Sequence, residues 1–164
     1  RYIGLGDHVG LYFEDRRTVQ YQIKEMLRKE RIIDRAGIEE ELNAYNPLIP
    51  TGRNLKATMM IEYPDPEVRK TKLMLLKGVE KKVWIKVEGR DRIWSIADED
   101  LDRENGEKTS SVHFLRFELT ADMKKSLLHG SALSIGVDHP NYRVEIEEVP
   151  EKLRDSLAGD LSVQ

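Results

Sequence analysis

Two stretches of alternating polarity constrain this chain more than any other feature. From Ser111 to Thr120, His113, Leu115, Phe117 and Leu119 fall on one side of an extended backbone, with Val112, Phe114, Arg116 and Glu118 on the other. From Ala132 to His139 the apolar side is Leu133, Ile135 and Val137, closed by His139, with Ser134, Gly136 and Asp138 behind them. A period of two with one apolar side requires a sheet that buries one face. The helix-like Ala121 to His129 separates the two stretches. Taken as antiparallel neighbours, they set the first residue of one beside the last of the other, so the two imidazoles are expected to meet at one end of the buried face. That end is the candidate site.

The remaining periodicities fit the same class. His8 to Asp15 alternates Val9, Leu11 and Phe13 against His8, Gly10, Tyr12 and Glu14, and Leu55 to Tyr63 sets Ala57, Met59, Ile61 and Tyr63 on its apolar side. Lys82 to Glu88 and Arg92 to Asp98 read as a hairpin around Gly89-Arg90-Asp91, and Asn141 to Val149 as a further strand. Helical spacing begins at Arg17, with Val19, Ile23, Met26 and Leu27. It returns from Ile38 to Tyr45 after Gly37, from Pro66 to about Lys77, and from Pro150 with Leu153, Leu157 and Leu161. Asp98 to Thr109 is rich in charge and is read as an exposed loop. The expected fold is one α+β domain spanning residues 1–164, with a mainly antiparallel, curved sheet of about six strands, up to barrel-like closure, and four or five packed helices.

Composition narrows the function classes. A net charge of −3 over 164 residues argues against general nucleic-acid or anionic-membrane binding. The absence of cysteine removes disulfides, thiolate metal sites and cysteine nucleophiles. No window has the apolar length to span a bilayer and the start does not read as a signal peptide, so the expected compartment is the cytoplasm.

His113 and His139 support two readings: a divalent-metal or acid–base site, or two histidines at the core margin, each hydrogen-bonded to backbone or water. For the metal reading the carboxylate is Glu14 or Glu62. A separate small-molecule pocket under the sheet would be lined by Phe117, Tyr12 and Trp94, and His113, His139, Tyr12 and Phe117 are the candidate ligand-binding residues. His129 ends a helix before Gly130 and is left out of the site. The glycines of Gly4-Leu5-Gly6-Asp7-His8-Val9-Gly10 lack the strand-then-helix context of a nucleotide loop. Gly106-Glu107-Lys108-Thr109-Ser110 lacks the upstream glycines of a phosphate loop.

Several runs carry a family resemblance: Leu11-Tyr12-Phe13-Glu14-Asp15-Arg16-Arg17-Thr18-Val19, Ala44-Tyr45-Asn46-Pro47-Leu48-Ile49-Pro50, Gly52-Arg53-Asn54-Leu55-Lys56-Ala57-Thr58, Ala97-Asp98-Glu99-Asp100-Leu101, Val112-His113-Phe114-Leu115-Arg116-Phe117-Glu118-Leu119 and Gly136-Val137-Asp138-His139-Pro140. Over nearly its whole length the chain resembles an uncharacterised bacterial family known as domain of unknown function 3501. The resemblance implies no established activity and no catalytic residue. It implies a basic segment ahead of the first strand, absent from this sequence, and a redox or oxidative-stress setting with a redox or iron–sulfur protein as partner. The expected function is a non-catalytic accessory or ligand-binding module, with a metal-binding protein or metal-dependent enzyme using His113 and His139 as the alternative.

Overall fold

The computed structural model describes residues 1–97 and 109–162, so the charged loop expected from Asp98 to Thr109 lies, except for Thr109, outside the described residues. The described residues form five α-helices and eight strands in two antiparallel sheets. The strands are β1 Tyr2–Leu5, β2 Val9–Glu14, β3 Asn54–Ile61, β4 Val83–Val87, β5 Arg92–Trp94, β6 Val112–Glu118, β7 Leu133–His139 and β8 Tyr142–Ile146. One sheet, called A here, has the order β1-β2-β3-β6, and the other, B, the order β5-β4-β7-β8.

The alternation read from the sequence sets the core. Leu11, Phe13, Leu55, Met59, Leu115 and Phe117 from sheet A and Val83, Ile85, Leu133, Ile135 and Val137 from sheet B are buried in one apolar cluster. The sheets therefore pack their inner faces against each other, and each presents its polar set outward. The strand count and single curved sheet expected from sequence are corrected by two findings. Tyr2–Leu5 is a strand, paired with β2 through Gly4↔Gly10, so the glycine-rich start is a hairpin. The eight strands then divide into two sheets, neither closed into a barrel. The nearest approach to closure is a single bridge, in which Ile96 and Arg116 exchange hydrogen bonds at 2.8 Å in both directions where β5 passes β6. At the opposite seam the Tyr142 hydroxyl donates to the Leu5 carbonyl oxygen.

The helices are α1 Arg16–Lys29, α2 Arg35–Tyr45, α3 Pro66–Leu75, α4 Ala121–Leu128 and α5 Glu151–Ala158. Asp15 starts α1 with a reciprocal box: its carboxylate accepts from Thr18 N at 2.8 Å and its own N–H donates to Thr18 Oγ1 at 3.0 Å. Asp65 caps α3 at Glu67 N, with Pro66 at the first position. The break expected at Gly37 is instead inside α2, because Asp34 is the cap and its carboxylate accepts from Gly37 N at 3.0 Å. A Cβ on residue 37 would stand 2.9 Å from that same carboxylate. Helix α1 packs on the outer face of sheet A, where Val19, Ile23 and Leu48 form a second small core with Phe114 packed against it. Helices α3, α4 and α5 contribute Leu73, Met123, Leu127 and Leu157 to the main core. Among the described residues no helix is long and apolar enough to cross a membrane.

Gly136 sits in β7 with Trp84 across the ladder, and a Cβ there would meet the Val144 carbonyl oxygen and stand 2.6 Å from Trp84 Cζ2. Because one obstacle is backbone, Gly136→Ala is expected to destabilise by about 1–3 kcal/mol, measured by urea denaturation. At the far end of the β3–β6 pair, desolvation raises the Glu118 carboxyl, but hydrogen bonds from Arg116 (2.5 Å) and Asn54 (3.1 Å) outweigh it and the net shift is downward. A lowered carboxylate adds stability above its ordinary pKa that is lost as pH falls through the folded value. Wild type is thus expected to outlast Glu118→Gln in urea near neutrality, and the two midpoints to converge in acid.

Candidate functional site

The two histidines do not lie on neighbouring strands. His113 is on β6, which pairs with β3 in sheet A, whereas His139 ends β7, which pairs with β4 and β8 in sheet B. The expected β6–β7 pairing fails for a physical reason: α4 buries Met123 and Leu127 in the core shared by the sheets, so the chain crosses over and returns in the opposite sheet.

The side chains nevertheless hold the same piece of chain, the turn after α3. His139 Nε2 donates to the Lys77 carbonyl oxygen at 2.8 Å and its Nδ1 accepts from Asn141 N at 3.1 Å, while Asn141 Nδ2 donates to the Leu75 carbonyl oxygen. Both nitrogens of that ring are therefore engaged by backbone. His113 Nε2 lies 2.9 Å from the Ser110 carbonyl oxygen, which can only accept, so that nitrogen carries the proton. It also lies 2.8 Å from Thr109 Oγ1, whose hydroxyl donates to Glu80 Oε2 at 3.2 Å. Glu80, Thr109 and His113 are all buried, so this is a polar cluster inside the core. Neither Glu80 nor Thr109 stood out in the sequence, since a glutamate between Val79 and Lys81 reads as surface charge.

The carboxylates proposed as metal partners lie elsewhere. Glu62 is exposed, and its carbonyl oxygen accepts from His8 Nδ1 at 2.9 Å while the His8 ring stacks on Tyr63. Glu14 ends β2 on the outer face of sheet A. Among the described residues no group of three or more His, Asp or Glu side chains has the arrangement to hold a metal ion. Phe117, Tyr12 and Trp94 are not brought together: Phe117 is in the core, Tyr12 is on the outer face of sheet A and Trp94 is exposed on β5 of sheet B.

What the structure does bring together is Glu14 and Tyr12, in a cleft of about 310 Å³ between α1 and the outer face of sheet A. Glu14 is only 4% exposed. Its Oε2 accepts from Thr18 Oγ1 at 2.5 Å, its Oε1 from Thr58 Oγ1 at 2.9 Å, and Gln22 Nε2 lies 3.3 Å from both oxygens. Thr18 and Gln22 reach it because they follow Glu14 at intervals of four residues and share one face of α1. Thr58 reaches it across the ladder, diagonal to Glu14 in a register that pairs Tyr12 with Thr58 and Glu14 with Lys56. Met60 and Phe114 complete the wall. The four-residue spacing was visible in the sequence, but the role of Thr58 depends on register and was not.

Arg1 also lines this cleft, but its guanidinium is committed. It makes a bidentate pair with Asp160 at 2.9 and 2.6 Å and donates to the Glu14 backbone carbonyl oxygen at 2.7 Å. Among the described residues no Lys or Arg side chain forms an ion pair with the Glu14 carboxylate. A second cleft of about 330 Å³ lies on sheet B, where Arg92 stacks over Trp84 at 3.9 Å and Arg143 pairs with Asp138 at 3.3 Å. There the charges answer one another.

The engagement of both His139 nitrogens predicts a structural role. His139→Ala is expected to cost about 1–3 kcal/mol in urea denaturation and to speed hydrogen exchange around Lys77 to Glu80. Protein purified without an affinity tag is expected to show no divalent metal that depends on this ring. One equivalent of metal lost in both His113→Ala and His139→Ala would reverse that assignment.

Comparison with known proteins agrees with the resemblance seen in the sequence. The family described as "Protein of unknown function (DUF3501)" matches residues 1–161. Among solved structures, a novel protein of unknown function from Burkholderia pseudomallei is similar at 49% identity with a TM-score of 0.93, over 99% of this chain and 84% of that one. No curated protein gives a significant match. The chain belongs to the DUF3501 family.

Proposed function

We propose that this member of the DUF3501 family is a ligand-binding module whose site is the cleft around Glu14. The observation that carries the reading is a carboxylate nine-tenths buried at the base of an open cleft, held among the described residues by two hydroxyls and an amide. Removing a carboxylate from water is costly, and a buried one is ordinarily matched by a cation. Here, among the described residues, the groups that donate to the carboxylate are neutral, and the buried Lys56 across the ladder turns its ammonium to the Pro47 carbonyl oxygen. The cleft is at the lower end of the size range of small-molecule sites, and it combines an apolar wall with convergent polar groups, the usual pattern of such sites. Tyr12, Met60 and Phe114 supply the wall, and Glu14, Gln22 and Thr58 the polar base.

The sheet B cleft is a weaker candidate. Its guanidiniums and carboxylates pair among themselves, so a charged ligand would have to displace an existing partner.

A fragment library screened by amide chemical shifts on isotope-labelled protein tests the assignment. Hits are expected to shift the amides of Tyr12, Thr18, Gln22 and Thr58 together. Tyr12→Ala, whose side chain is 44% exposed and carries little of the core, is expected to weaken them by about tenfold while leaving the fold intact. Shifts gathered around Trp84 and Arg143, or none in either cleft, would sink the proposal.

A further inference from the structure

Which chemistry the cleft selects follows from the direction of its hydrogen bonds, and this step rests on the ligand-binding reading above. A carboxylate has about four lone-pair sites. Thr18, Thr58 and Gln22 supply three donors, with the Gln22 amide shared between the two oxygens. The four contacts take up its lone-pair sites and bring no positive charge to them.

The neighbouring groups are turned the same way. Thr58 has a single hydroxyl hydrogen and spends it on Glu14, so only its lone pairs remain to meet a ligand. Gln22 must point its NH₂ at the carboxylate, which fixes the amide and leaves its carbonyl oxygen with no protein partner among the described residues. By absorbing each donor near it, Glu14 leaves the base of the cleft rich in acceptors. The cationic group in the lining, Arg1, has its charge matched by Asp160 at 2.6 Å, with Asp15 a further 3.7 Å contact. Above the base stand the rings of Tyr12 and Phe114 and the thioether of Met60.

We infer that the cleft recognises an organic ammonium ion: a primary amine whose charge faces Glu14, whose N–H groups meet the oxygens of Gln22 and Thr58, and whose apolar body lies against Tyr12, Met60 and Phe114. A primary ammonium presents three donors and no acceptor, the complement of this base. An aromatic wall favours the same charge, since a cation is attracted to the face of a ring. A carboxylate ligand would meet the like charge of Glu14. A neutral alcohol would supply one donor and no charge to answer Glu14.

Three probes of one shape separate the possibilities: benzylamine, benzyl alcohol and benzoate, each titrated into labelled protein at the same pH and followed by the amides of Thr18, Gln22 and Thr58. Benzylamine is expected to bind about tenfold or more tightly than benzyl alcohol, the gain of a charge-assisted hydrogen bond, and benzoate to leave these amides unmoved. The advantage should vanish in Glu14→Gln. Should that variant fail to fold, salt gives the second reading on the unaltered protein: added salt is expected to weaken the amine and spare the alcohol. If the alcohol or benzoate matches the amine in the cleft, the assignment to amines is wrong while the ligand-binding site stands. If no probe or fragment moves these amides, both fall together.

Discussion

Everything in this molecule depends on two alternating faces being buried against each other. The inner residues of β3 and β6 in sheet A and of β4 and β7 in sheet B form one cluster, so the two sheets share the main core. Because the side-chain period is two, this burial also decides what points outward. Glu14, Thr58 and Phe114 reach the cleft only because Phe13, Ala57 and Leu115 point into the core. Helix α1 then packs on the outer face of sheet A, and the cleft lies between the two. A one-residue slip of β2 against β3 would move Thr58 away from Glu14 and dismantle the site.

The turn after α3 shows how buried polar groups lock the ends of such a sandwich. His139 from sheet B and the His113–Thr109–Glu80 cluster beside sheet A grip it from two sides, while Ser95 donates to the Glu80 carbonyl oxygen at 2.6 Å. Among the described residues no buried side-chain nitrogen or oxygen lacks a hydrogen bond. Networks satisfied to that degree specify one arrangement, since any alternative strands a polar group in the core. Histidines closing apolar columns are, at both positions here, latches on a turn.

How much of this was legible in the sequence depends on the range of the interaction. The inward faces of β2, β3, β6 and β7 followed from alternation, and Asp65-Pro66 marked the start of α3, because each signal lies within a few residues. The strand Tyr2–Leu5 was missed because its apolar residues are only Ile3 and Leu5 among glycines. The division into two sheets was missed because it turns on where α4 docks, a contact between residues far apart in the chain. Glu14 and Tyr12 were picked out as site residues, but their helix and ladder partners were not, since the polar face of one strand does not say which strand or helix will lie across it.

The two deeply buried glutamates make the sharper comparison. Glu80 and Glu14 are 3% and 4% exposed, and both accept threonine hydroxyls. Glu80 has an imidazole nitrogen 4.0 Å away and lies inside the core, so its polarity is used up in holding a turn. Glu14 lies at the base of a cleft, its carboxylate accepts from neutral groups among the described residues, and the Arg1 guanidinium in the lining is turned to its backbone oxygen and to Asp160. A residue serving stability alone would do as well as a neutral or apolar group filling the same space, because a buried charge seldom repays its desolvation. Two hydroxyls and an amide hydrogen-bond the Glu14 carboxylate, and among the described residues no cation forms an ion pair with it. On the reading proposed above, Glu14 is half of an ion pair whose other half arrives with the ligand.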